Sequence, residues 1–95
     1  MQAAEHLQAN GYELWGVEQT QNSTSLENFF IETGKRYALI FGNEVRGIGQ
    51  EVIDSCEGCI EIPQFGTKHS FNVSVSAGIV LWECYRQVSG RPDSF

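Results

Sequence analysis

Phe41-Gly42-Asn43-Glu44-Val45-Arg46-Gly47-Ile48, answered by Ile62-Pro63-Gln64-Phe65-Gly66-Thr67-Lys68-His69-Ser70-Phe71-Asn72-Val73-Ser74-Val75, decides the fold of this chain. Each stretch is a polar, glycine-bearing loop that leaves an apolar run: Tyr37 to Phe41 before the first loop, Cys59 to Ile62 before the second. A continuous apolar run suits a parallel strand buried on both faces. Between the loops, Gln50 to Cys56 reads as a short helix with Val52 and Ile53 inward, ended by Gly58. This order puts both loops at the carboxyl ends of strands in one sheet, where open α/β sheets bind ligands. The loops carry Asn43, Glu44, Arg46, Lys68, His69, Ser70 and Asn72, all with groups able to do chemistry.

Upstream, Ala3 to Ala9 has helix-forming composition and stops at Asn10-Gly11. Tyr12 to Val17 reads as a strand, Glu18 to Ser25 as a polar loop, and Leu26 to Ile31 as a short helical turn closed by Gly34. Pro63 stops the strand that begins at Cys59. Downstream, two signals compete. Phe71, Val73 and Val75 alternate with Asn72, Ser74 and Ser76, a period-two strand pattern, whereas Ser76 to Gln87 reads as helix with Ile79, Val80, Trp82 and Cys84 apolar. The expected architecture is α/β with a parallel sheet over residues 1–88, followed by a frayed tail at 89–95. Three strands make a thin sheet. The chain also opens on a helix with no strand before it, so an N-terminal element supplied from outside these residues is expected.

Length and composition bound the rest. Ninety-five residues form one small domain, and 41% apolar with 12% aromatic residues favours a packed core over disorder. No apolar run approaches the roughly 20 residues of a membrane span; the longest, Ala77 to Trp82, runs into Glu83 and Arg86. Met1-Gln2-Ala3-Ala4-Glu5-His6 lacks the basic and apolar regions of a signal peptide, so the expected compartment is the cytoplasm. A net charge of −6 counts against nucleic-acid binding by the chain as a uniform body. A local basic rim is still open to it, since Arg46, Lys68 and His69 sit in the two loops; ordinary loop polarity explains them equally well. Cys56-Glu57-Gly58-Cys59 has C-x-x-C spacing, yet it lacks the second pair that a structural zinc site uses. It also closes a helix instead of opening one, as a redox pair would. The expectation is plain core or loop-edge cysteines and no metal.

With these residues in view, the two loops resemble the second and third motifs of the SpoU, or TrmH-like, RNA 2′-O-ribose methyltransferases of the SPOUT class. The second motif, a strand followed by Gly-Asn-Glu and a nearby Gly, is matched by Phe41 to Ile48. The third, Ile-Pro-Met, a glycine loop, then Ser-Leu-Asn-Val-Ser-Val and a helix ending near Glu, is matched by Ile62 to Gly66, Ser70 to Val75, and Leu81-Trp82-Glu83. The resemblance covers Gly11 to Gln87 and departs at Gln64, where Met is usual, and at Phe71, where Leu is usual. It implies a C-terminal trefoil knot, a feature outside ordinary connection rules. It also implies one helix from Ser70 onward, with Ser70 as its N-cap. The implied cofactor is S-adenosylmethionine, with Gln19, Thr20, Gly42, Asn43, Gly47, Ile62, Gln64 and Phe71 at cofactor-binding positions. The implied partners are RNA (tRNA or rRNA), touched by Arg46, Lys68 and His69, and a second copy of the chain in a homodimer.

Methyl transfer to a ribose hydroxyl requires an activated donor and a poor nucleophile to be oriented in line, with help in removing a proton. By resemblance Glu44, Ser70 and Asn72 are the catalytic-site residues, orienting ribose or a catalytic arginine. The family's first motif, which carries an Asn and that Arg, lies upstream of everything matched here, and Arg46 is in the wrong motif to replace it. The expected function is therefore the cofactor-binding, C-terminal part of an RNA ribose methyltransferase, inactive alone. The alternative is a non-catalytic cofactor-binding or dimerisation module on the same fold.

Overall fold

The computed structural model describes residues 2–42, 46–63 and 73–89. The elements in chain order are α1 (Gln2–Ala9), β1 (Tyr12–Val17), β2 (Thr24–Ser25), a 3-10 turn (Leu26–Asn28), β3 (Arg36–Phe41), α2 (Gln50–Ser55), β4 (Gly58–Glu61) and α3 (Val73–Val88). The four strands form one sheet in the order β2-β4-β1-β3, and every pairing is parallel. Tyr12 pairs with Arg36 and Val17 with Phe41 on one side of β1; Trp15 pairs with Gly58 and Val17 with Ile60 on the other.

The parallel α/β reading holds, and one strand more is present than expected. Thr24–Ser25 lies in the stretch read as a polar loop, yet it pairs with Ile60 and Glu61 of β4. Two polar residues carry no period; the free edge of β4 makes this strand. The competing signals around residue 73 resolve in favour of helix, since Val73, Ser74 and Val75 begin α3. Their β-branched alternation is a side-chain pattern only, and packing of α3 overrides it. Phe71 and Asn72, the first part of that pattern, and Ser70 as an N-cap lie outside the described residues. The helical turn after Leu26 is shorter than expected, ending at Asn28.

Side-chain alternation along the strands builds two cores. On one face Trp15, Val17, Tyr37, Leu39, Phe41 and Ile62 surround Ile60, Leu26, Phe29 and Val80. Ile60 and Val80 are completely buried. Phe29 bridges the strands, its ring meeting Trp15 edge-on at 5.0 Å and Tyr37 at 5.9 Å. On the other face lie the buried Leu14 and Cys59, with Ile48 against Gly16. A side chain at Gly16 would press on Ile48 and the Cys59 thiol, both 3.2 Å from a Cβ there. The Gln8 side chain donates to the Ser55 carbonyl at 2.7 Å and ties α1 to the end of α2.

α3 is fixed at its far end by one amide. Gln87 donates to the Phe29 carbonyl and accepts from the Ile31 N–H, both at 2.7 Å. Glu83 pairs with Arg86 at 2.7 Å and accepts from Gln87 at 3.0 Å. The inward face of α3 centres on Val80, with Ile79, Cys84 and Gln87 half-buried. Its outward face is apolar too: Leu81 is 55% exposed, Trp82 64% and Tyr85 49%, and the Trp82 and Tyr85 rings stack at 5.8 Å.

Candidate functional site at the carboxyl ends of the strands

Because the sheet is parallel, the segments leaving β1, β3 and β4 emerge at one edge. The register sets Val17 beside Phe41 and Ile60, so Glu18, Gly42 and Glu61 each follow a paired residue at that edge. Gln19 and Thr20 continue from Glu18, and Ile62 continues from Glu61. The sequence-predicted cofactor residues Gln19, Thr20, Gly42, Gly47 and Ile62 therefore share one edge of the sheet. Arg46 stands there as well, exposed, at the start of the described return of the β3 loop. Asn43, Glu44, Gln64, Lys68, His69, Ser70, Phe71 and Asn72 lie outside the described residues.

Gly42, after β3, lies against Gly47 and Ile48. A Cβ on Gly42 would overlap the Gly47 carbonyl carbon and the Ile48 nitrogen, so backbone lies directly on backbone where the loop returns. Gly47 has φ +70°, in the left-handed region that glycine enters without steric cost. A Cβ there would strike the Glu18 carboxylate. At Gly42 and Gly47 the crossing thus leaves no room for a side chain.

Two carboxylates fasten the loops to one another. Glu18 follows β1; its N–H donates to the Ile60 carbonyl at 3.0 Å, and its Oε1 accepts from the Ile48 N–H at 3.0 Å. Glu61 ends β4, and its Oε1 accepts from the Ser23 hydroxyl at 2.5 Å. Ser23 in turn accepts from the Thr20 N–H at 3.4 Å. The segment after β3 is thereby tied to β1, and the segment after β1 to β4. Sequence reasoning missed Glu18 and Glu61, both half-buried. The available signal was an acid directly following an apolar strand, a position where solvent exposure is the usual outcome.

Cys56 and Cys59 flank Gly16 beneath this edge, and Cys84 lies on α3; all three are free. Burial pushes each thiol up from its ordinary range, which keeps them protonated at neutral pH and works against nucleophilic or redox use. Among the described residues no group of His, Cys, Asp and Glu is placed to hold a metal ion. Among them, too, no helix is long and apolar enough to cross a membrane.

The deciding comparison is with the SpoU rRNA Methylase family, whose profile matches residues 1–82. The chain belongs to that family. It is 38% identical over 87 residues to the tRNA (guanosine(18)-2'-O)-methyltransferase TARBP1 of Mus musculus, covering 92% of this SpoU chain and 5% of the relative. Among solved structures, the A. aeolicus TrmH/SpoU tRNA modifying enzyme superposes with a TM-score of 0.78 at 29% identity, over 92% of this chain and 43% of that one. The SpoU methyltransferase AviRb from Streptomyces viridochromogenes, in complex with the cofactor AdoMet, superposes with a TM-score of 0.73 at 26% identity, over 95% and 36% of the two chains. This SpoU-family chain thus spans well under half the length of each of these proteins.

Proposed function

We propose that this chain is the cofactor-binding part of an RNA 2′-O-ribose methyltransferase, using S-adenosylmethionine and acting on tRNA or rRNA. The observation that carries this reading is the Gly42–Gly47 crossing at the carboxyl edge of a parallel sheet, in a family with a relative solved in complex with AdoMet. The sheet places the backbone of Gly42 and Gly47, the side of Ile62 and the segment at Gln19 and Thr20 together, which suits an adenosine held largely by main chain. The cofactor, when bound, supplies a methyl group already activated on a sulfonium. The chain's share of the work is to bind and orient. Asn43, Gln64 and Phe71 complete the cofactor set; Glu44, Ser70 and Asn72 position the ribose hydroxyl; Arg46, Lys68 and His69 meet RNA phosphate.

The reading includes the family's C-terminal trefoil knot. It also includes a homodimer. Support for the homodimer comes from the outward face of α3, where Leu81, Trp82 and Tyr85 are exposed on a helix already apolar on its inward side. A patch of exposed large apolar side chains is a surface suited to a partner. The 95 residues alone are inactive in methyl transfer, because the first-motif arginine has no counterpart among the matched positions.

Isothermal titration with S-adenosylhomocysteine, alongside a methyl-transfer assay on bulk tRNA and rRNA, tests the reading. Saturable binding without turnover is the expected result. Turnover at a full enzyme's rate refutes the claim of inactivity. Absence of binding by the folded chain refutes the cofactor assignment. Restored turnover on adding a segment that carries the first motif separates an enzyme part from a non-catalytic module.

A further inference from the structure

We infer that Glu18 is a positioning residue for the cofactor site: its carboxylate, acting as a hydrogen-bond acceptor, holds the Gly42–Ile48 crossing closed against the end of β1. The inference rests on the cofactor reading above and adds to it a residue outside both loop motifs.

Three observations converge on this one side chain. Its own N–H is spent on the Ile60 carbonyl of β4, which fixes the backbone from which the side chain leaves. Its Oε1 accepts from the Ile48 N–H at 3.0 Å. That amide directly follows Gly47, where a Cβ would strike the same carboxylate. The half-buried Oε1 supplies the acceptor that the Ile48 N–H needs away from bulk water. Without it the Ile48 amide, next to the buried Ile48 side chain, loses its partner. The crossing packs backbone on backbone at Gly42, so a small outward movement at Ile48 opens the one surface that the cofactor reading needs intact. The contact is made by an acceptor atom, which sets the pattern of tolerated substitutions. Glutamine keeps an Oε1 at the same reach, whereas alanine offers no acceptor.

The test compares wild type, Glu18→Gln and Glu18→Ala by amide hydrogen exchange and by titration with S-adenosylhomocysteine. Exchange at the Ile48 amide is expected to be slow in wild type and Glu18→Gln and about ten-fold faster in Glu18→Ala, the scale of one lost hydrogen bond. The Glu57 amide, which donates to the Leu14 carbonyl at 2.8 Å, reports the fold and is expected to keep its protection in all three. Affinity for S-adenosylhomocysteine is expected to fall about ten-fold or more in Glu18→Ala and to recover in Glu18→Gln. Equal Ile48 exchange in wild type and Glu18→Ala overturns the inference. So does a Glu18→Gln variant as impaired as Glu18→Ala, or unchanged affinity in Glu18→Ala. A wild-type chain that binds no S-adenosylhomocysteine refutes the cofactor reading instead, and the exchange measurement then decides the role of Glu18 by itself.

Discussion

Gly42 is the residue at which the site tolerates least. Its absent side chain is replaced by the Gly47 carbonyl carbon and the Ile48 nitrogen, which are main-chain atoms and cannot rotate aside. Gly42→Ala is expected to destabilise the chain by about 2 kcal/mol, the scale of overpacking in a rigid setting, and to abolish cofactor binding. Chemical denaturation and titration with S-adenosylhomocysteine check the two effects. Gly11 and Gly34 also have positive φ, yet nothing lies within 4 Å of a Cβ at either, so their substitution costs backbone strain alone. The family resemblance marked Gly42 and Gly47, in the loop that leaves an apolar strand. It did not mark Glu18, because an acid at a strand end looks the same whether it faces water or a neighbouring amide.

Among the elements, α3 carries a clamp that depends on pH. Arg86 first, and Gln87 second, hold the Glu83 carboxyl well below its ordinary 4.5, at about 2. A lowered folded pKa means that the unfolded chain takes up the proton first. The stabilisation is therefore complete above about 4.5, fades as pH falls, and is gone below about 2. The melting-temperature gap between wild type and Glu83→Gln is expected to be present at neutral pH and to close on acidification; thermal denaturation followed across that window checks it. The gap is modest, since the Arg86 side chain is 60% exposed and solvent screens the pair. The long elements were legible because β1, β3 and β4 carry apolar runs that two covered faces demand. β2 was not, because a two-residue strand owes its existence to the edge it joins. The start of α3 was legible only by resemblance, since Val73 and Val75 alternate as a strand would.

For the whole molecule, the outward face of α3 is the feature that composition hid. Trp82 entered the sequence reading as one more apolar residue of an amphipathic helix, and it faces away from the core with Leu81 and Tyr85. Light scattering on the purified chain is expected to give twice the 10.6 kDa chain mass, and Trp82→Glu is expected to give the single-chain mass with its fold retained. An unchanged mass in that variant would move the interface elsewhere. The sheet has a different consequence, for assembly in time. Tyr12 waits for Arg36, Trp15 for Gly58, and Thr24 for Ile60, so among the described residues no strand meets a neighbour through a hairpin. Folding of so non-local a sheet is slow relative to a helical bundle of equal length. During synthesis β1 emerges before either of its partners, β3 and β4. A chain paused before residue 58 holds Trp15, Val17 and Leu39 without Ile60 or Val80 to cover them, so the nascent protein has reason to occupy a chaperone until α3 is made.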